Sequence, residues 1–94
     1  MFSWNPEKAI INFEKHKVSF EEAATVFADL DALDIEDNKH SIAEQRNFRL
    51  GKSILNNILL VVYTVRREKN EKETIRIISA RKASKKERKA YFRN

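Results

Sequence analysis

The side chains best suited to chemistry in this sequence are arginines on two segments that read as its last two strands. Val61-Val62-Tyr63-Thr64-Val65-Arg66 is followed, after a charged stretch, by Ile75-Arg76-Ile77-Ile78-Ser79-Ala80-Arg81. Arginine keeps its charge at any physiological pH, and its planar fork of donors matches the oxygens of a phosphate. Side chains alternate between faces along a strand, so Thr64 and Arg66 share one face. By the same parity Arg76 shares a face with Ile78 and Ala80, while Ile75 and Ile77 point the other way, toward the helices. Arg81 has the opposite parity to Arg76, and both serve one site only if a bulge or the strand end re-aims one of them. Arg66 and Arg76 on adjacent strands would bring two guanidinium groups onto one face. The competing explanation for each arginine is a surface charge or an ion pair with a nearby carboxylate.

Groups that could move protons are fewer. His40 lies in a polar stretch, Asp37 to Ala43, shortly before Glu44 and Arg46. An imidazole there suits general acid–base work, with a solvated loop residue as the alternative. Glu44 could act as a base or pair with Arg46. His16 ends a helical segment, where the helix dipole favours a charged ring and capping alone explains it. Lys8 and Lys15 could reach phosphates or be simply solvated. Lys82, Lys85, Lys86, Arg88, Lys89 and Arg93 crowd the C-terminal segment. That density attracts polyanions in a salt-dependent way, and would equally meet an acidic protein surface. Two histidines far apart, without carboxylates at ligand spacing, make no metal pattern; neither a metal nor a cofactor is expected.

The elements that must position these residues follow from periodicity. Phe2-Ser3-Trp4 reads as a short strand. Asn5 caps a helix with Pro6 in its first position, Ala9, Ile10 and Phe13 giving its apolar face up to Lys15-His16-Lys17. Ser19 and Glu22 form a capping box for a second helix, with Val18 stapled on Ala23, and Phe20, Ala23, Ala24 and Phe27 as its buried stripe. Leu33 and Ile35 mark a strand, Phe48 and Leu50 another. Gly51-Lys52-Ser53 begins a turn that Asn56-Asn57 closes. Ile58 to Thr64, apolar on both faces, reads as a central strand. Glu68 to Glu73 forms a charged hairpin tip before the last strand, Thr74 to Arg81. Ser84 and Glu87 repeat the capping box and open a peripheral helix from Lys85 to about Phe92. The order βααββββα predicts an α+β domain over residues 1–94, with helices on one side of a mostly antiparallel sheet.

Composition narrows the function classes. The 94 residues contain no cysteine, which excludes disulfides and thiolate metal sites. Their longest apolar run, Ile58 to Tyr63, is far short of a membrane span, and the N-terminus lacks a secretion signal, so a cytoplasmic location is expected. The net charge of +5 is unevenly divided: residues 1–44 carry −6 and residues 45–94 carry +11. The sign of the first half argues against DNA binding by its two helices as a helix-turn-helix.

Taken in order, these segments resemble the BrnT family, the toxin half of a bacterial type II toxin–antitoxin pair. The resemblance rests on Phe2-Ser3-Trp4-Asn5, Lys15-His16, Val18 to Ala23, Val26-Phe27, Asp37, His40, Glu44 and Arg46. It continues through Val61-Val62-Tyr63-Thr64, Arg66, Ile75 to Arg81, Ala83, Glu87-Arg88 and Tyr91. It implies a RelE-like fold, endoribonuclease activity that inhibits translation, and a cognate, BrnA-like antitoxin with a DNA-binding domain, through which alone the toxin would meet operator DNA. Metal-independent RNA cleavage needs a group to deprotonate the 2′-hydroxyl, a donor to the leaving 5′-oxygen, and positive charge around the phosphorane. Arg66, Arg76 and Arg81 with Thr64, His40 and Glu44 are the expected catalytic set. Lys8, Lys15, His16, Arg46, Lys82, Lys85, Lys86, Arg88 and Lys89 are the expected RNA contacts. Three positions depart from the family pattern: Asn5 for Asp, Lys17 for Gly, and a longer tip between Arg67 and Thr74. The rival reading is a non-catalytic basic module that binds a protein or nucleic acid.

Overall fold

The computed structural model describes residues 1–37, 39, 45–67, 69–70 and 72–93. Its strands are β1 (Phe2–Ser3), β2 (Leu33–Asp37), β3 (Arg46–Lys52), β4 (Ile58–Arg67) and β5 (Glu73–Lys82). The helices are α1 (Pro6–His16), α2 (Phe20–Thr25), which tightens into a 3₁₀ turn over Val26–Ala28, and α3 (Lys85–Arg93). The strands form one sheet in the order β1-β5-β4-β3-β2. β2 to β5 are antiparallel neighbours, and β1 runs parallel to β5.

Both helix starts follow the sequence signals. Asn5 accepts from the backbone N–H of Glu7 at 2.8 Å and of Lys8 at 3.2 Å, satisfying two of the donors every helix start leaves open. Ser19 Oγ accepts from Glu22 N–H at 2.9 Å. The Glu22 carboxylate goes elsewhere, accepting from Ser53 Oγ at 2.6 Å and Asn57 Nδ2 at 2.8 Å, which fastens α2 to the β3–β4 turn. α1 leaves its last turn through Lys17 in the left-handed region, φ 59°.

The inward face of α1 differs from the expected one. Ile10 and Phe13 are exposed, at 61% and 49%, while Asn12 is buried. Its side-chain amide donates to Val18 O at 3.1 Å and Ala80 O at 2.8 Å, and its carbonyl accepts from Ala80 N–H at 3.1 Å. A buried amide must be satisfied, and meeting three backbone partners fixes the rotation of α1 over β5. Ile10 and Phe13 are thereby turned outward. The core on this side joins Val18, Phe20, Ala23 and Val26 to Leu59, Val61, Ile77 and Ala80. Val26, in the tightened turn, is fully buried as well, while the expected Phe27 is partly buried and packs against the same core, its ring centroid 4.9 Å from that of Tyr63.

Gly51 lies inside β3 rather than in a turn. A Cβ there would stand 3.1 Å from Ala32 Cβ and 3.2 Å from Val26 Cβ, so a side chain would have to push these neighbours back by a few tenths of an ångström. The turn itself spans Ser53 to Asn57, closed by Ser53 N–H to Asn57 O at 2.8 Å.

A β-bulge divides β5. Val62 pairs with Ser79 and Tyr63 with Ile77, leaving Ile78 as the extra residue. The bulge inverts parity for everything beyond it. Ala80 therefore joins Ile77 in the helix-side core, and does not share the face of Arg76 as regular alternation had predicted. Arg81 moves to the Arg76 face.

The helices are not all on one side of the sheet. α3 lies on the face opposite α1 and α2, with Tyr91 buried against a second cluster of Leu50 and Ile58, flanked by Leu33, Leu60 and Ala83. Polar bonds hold it at both ends. Arg81 grips Glu87 with Nη1–Oε1 at 2.8 Å and Nη2–Oε2 at 2.9 Å. Near the other end, Tyr91 donates to Asp29 at 2.6 Å. Asp29 also accepts from Lys52 N–H at 2.7 Å, so one carboxylate joins the 3₁₀ turn, the end of β3 and α3.

Candidate functional site

The strand registers place five residues in a single row across the sheet. Asp37 stands opposite Arg46, Arg46 opposite Thr64, Thr64 opposite Arg76, and Arg76 beside Ser3. Directly opposed residues have Cβ atoms roughly 5 Å apart and share one face. Arg46 and Arg76 thus flank Thr64 on the face that also carries α3. Arg66 follows Thr64 by two residues on the same face, opposite Thr74. Three arginines from three strands converge there, two of them on the strands the sequence singled out.

The local environments differ along the row. Arg76 is half-buried, and its Nη1 donates to Ser3 Oγ at 3.3 Å. Asp37 is buried at the end of β2. Thr64 is only 3% exposed, and its Oγ1 has no hydrogen-bond partner among the described residues. A buried hydroxyl left in that state costs about 1–3 kcal/mol. A fold seldom keeps such a group without a use for it.

Arg81 reaches this face through the bulge, but its partner Leu60 lies four positions before Thr64 on β4, about 13 Å along a strand. Its guanidinium is committed to Glu87. The ion pair and its hydrogen bonds hold the Glu87 carboxyl down at about 2, against the opposing effect of burial, with Ser84 adding to the shift. Ser84 and Glu87 complete a reciprocal capping box, Ser84 N–H to Glu87 at 2.7 Å and Glu87 N–H to Ser84 Oγ at 3.1 Å. In this geometry Arg81 anchors α3.

Between α3 and the arginine row the sheet carries a groove of about 470 Å³, lined by Ile35, Phe48, Leu50 and Leu60 from the strands and by Arg81, Lys86 and Glu87 at its rim. Ile35, Phe48, Val62 and Ser79 form the row next to the arginines. The remaining α3 cations, Lys85, Arg88, Lys89 and Arg93, gather around Phe92 on the outer side of the helix.

Other expected site residues lie apart. Lys8, Lys15 and His16 belong to α1, which packs on the opposite face of the sheet. Lys82 pairs with Leu59, whose side chain fills the helix-side core, so parity turns Lys82 to that side too. His40 and Glu44 fall outside the described residues. Among the described residues no three His, Asp or Glu side chains converge as metal ligands would, and no described helix is long and apolar enough to cross a membrane.

Sequence reasoning left Ser3, Asp37 and Phe48 without a role. Asp37 and Phe48 owe their places to the β2–β3 and β3–β4 registers, and Ser3 to a parallel pairing with β5 more than seventy positions along. No local pattern carries that information.

Fold and charge together define a small α+β protein with one sheet face open and rich in arginine. The chain belongs to the BrnT family: the family model for the ribonuclease toxin BrnT of type II toxin–antitoxin systems matches residues 4–87. The chain is similar in fold to the ribonuclease toxin BrnT of Brucella abortus, known from a 1.1 Å crystal structure. The TM-score is 0.63 at 22% identity, over 90% of this chain and 99% of that one. No curated protein sequence matches it.

Proposed function

We propose that this protein is the toxin of a type II pair and an endoribonuclease that cuts mRNA and so arrests translation in the cytoplasm. A cognate antitoxin would hold it in check and link it to operator DNA through its own DNA-binding domain. The sheet-and-helix arrangement is read as RelE-like on the same grounds. The observation that carries the reading is the row Arg46–Thr64–Arg76 with Arg66 beside it, in a chain of a ribonuclease-toxin family.

The chemistry assigned to the row is attack of a 2′-oxygen on its neighbouring phosphorus, with the P–O5′ bond breaking and a 2′,3′-cyclic phosphate left behind. Charge accumulates on the non-bridging oxygens in the transition state, and guanidinium groups fixed in advance on the sheet stabilise it without reorganising. That role needs no metal ion. The proton transfers are assigned to His40 and Glu44. His40 is three residues along the chain from Asp37 and Glu44 two from Arg46, and an extended chain spans at most about 3.6 Å per residue. Both row residues therefore tether the segment that carries them.

Purified protein free of antitoxin should cut RNA in the presence of EDTA. Arg76→Ala should lower the rate about 10²–10³-fold while the thermal midpoint stays close to wild type. Arg76→Lys should recover little, since a point charge does not replace the fork. Folded wild-type protein that leaves RNA intact, alone and with ribosomes, would favour the non-catalytic module instead.

A further inference from the structure

We infer that the groove between α3 and the sheet is a subsite for one unpaired nucleobase of the RNA, with Phe48 as its stacking platform and Arg81 and Lys86 at its polar edge. The inference rests on the proposed ribonuclease reading and adds what the substrate must present: a single-stranded segment with a base free to leave its neighbours.

Position is the first argument. Phe48 is two residues from Arg46 on β3, on the same face, so the groove begins about 6.6 Å along the strand from the arginine row. That is the step from a held phosphate to a base beside it, not to a distant part of the chain. Size and lining are the second. About 470 Å³ lies within the range of small-ligand pockets, and Leu33, Ile35, Leu50 and Leu60 supply apolar walls around the half-buried Phe48 ring. Charge is the third. Arg46 and Arg76 stand in the row beyond the groove's Ile35–Phe48 edge, and at the other edge Lys86 stands beside the Arg81–Glu87 ion pair, so the groove suits an occupant that is apolar in the middle and anionic toward the arginine row. A nucleotide in single-stranded RNA has that distribution, and aromatic rings in basic clefts are how single strands are commonly held.

The rim is also prepared for a polar edge. Arg81 Nη1 and Nη2 are held by the Glu87 carboxylate, which fixes the guanidinium plane while leaving it further N–H groups to donate. Lys86 is exposed at the same rim, and a lysine's long unbranched stem can present its ammonium in several directions.

The test uses the full chain and a short single-stranded RNA blocked by 2′-deoxy substitution at the position wild type cleaves. The base is removed at each flanking position in turn, and binding is read by fluorescence anisotropy. One abasic position should weaken wild-type binding roughly tenfold. Phe48→Leu, which keeps the groove filled but removes the ring, should show most of that loss on intact RNA and little further loss on the abasic RNA. Lys86→Ala, at an exposed site that folding does not depend on, should weaken binding to intact RNA more than to the same abasic RNA. Equal wild-type and Phe48→Leu discrimination between the two RNAs overturns the subsite while leaving Arg76-dependent cleavage standing. Loss of antitoxin affinity in Phe48→Leu with unchanged RNA binding overturns it in favour of a protein occupant. Wild type that neither binds nor cuts RNA overturns the ribonuclease reading as well.

Discussion

Thr64 brings one hydroxyl into a place where water does not reach and no described group answers it, between two arginines. Such a group lowers stability on its own account, so its removal separates folding from function. Thr64→Val keeps the shape and deletes the hydroxyl, and should raise the unfolding free energy by about 1 kcal/mol, measurable as a higher urea midpoint. If the hydroxyl serves the cleavage chemistry, RNA cutting falls in the same variant. A loss of stability instead would mean that the hydroxyl is satisfied in the folded protein. The arginines beside it illustrate what sequence parity could and could not supply. Thr64 and Arg66 share a face as alternation requires. That Arg46 joins them depends on the β3–β4 register, which hydrophobic pattern alone leaves open, because it shifts with the length of the intervening turn.

Among the elements, α1 and α3 each contain one residue whose replacement gives a defined answer. Lys17 adopts a left-handed conformation that glycine reaches without a clash, and its N–H bonds to Phe13 O at 2.8 Å. Lys17→Gly should therefore stabilise the protein by about 0.5–1 kcal/mol, raising the thermal midpoint by several degrees. In α3 the Glu87 carboxyl titrates at about 2 in the fold, against an ordinary 4.5. Its contribution to stability is complete above pH 4.5 and is lost as the pH falls toward 2. Urea midpoints of wild type should drop across that window more steeply than those of Glu87→Gln, with the two curves meeting at the acid end. Parallel curves would show that the Arg81–Glu87 contact adds nothing to folding. The capping signals of α1, α2 and α3 were all legible, since Asn5, Ser19 and Ser84 act within one turn of themselves. The side of the sheet that α3 covers was not. It has few apolar residues, and its placement depends on Arg81, Asp29 and Tyr91, which meet only in three dimensions.

For the molecule as a whole, the division of charge along the chain becomes a division in space only in part. α1 carries Lys8 and Lys15 on one side of the sheet, while the arginine row and the α3 cations lie on the other. RNA affinity should fall steeply with salt. Replacing Lys85 and Lys89 by Gln should each lower the slope of log affinity against log salt by about one, and the same change at Lys8 and Lys15 should leave the slope as it is. Equal effects on both sides would place RNA around the whole surface. The bulge at Ile78 also has a bearing on how this chain can change over generations. Loops tolerate the gain or loss of a residue. In β5 the same event is a phase slip: without Ile78 the strand beyond it would turn over, sending Ala80 out of the core and Arg81 away from Glu87. One apparently redundant isoleucine therefore keeps two halves of a strand in step, and any descendant that drops it must rebuild the anchorage of α3 from other residues.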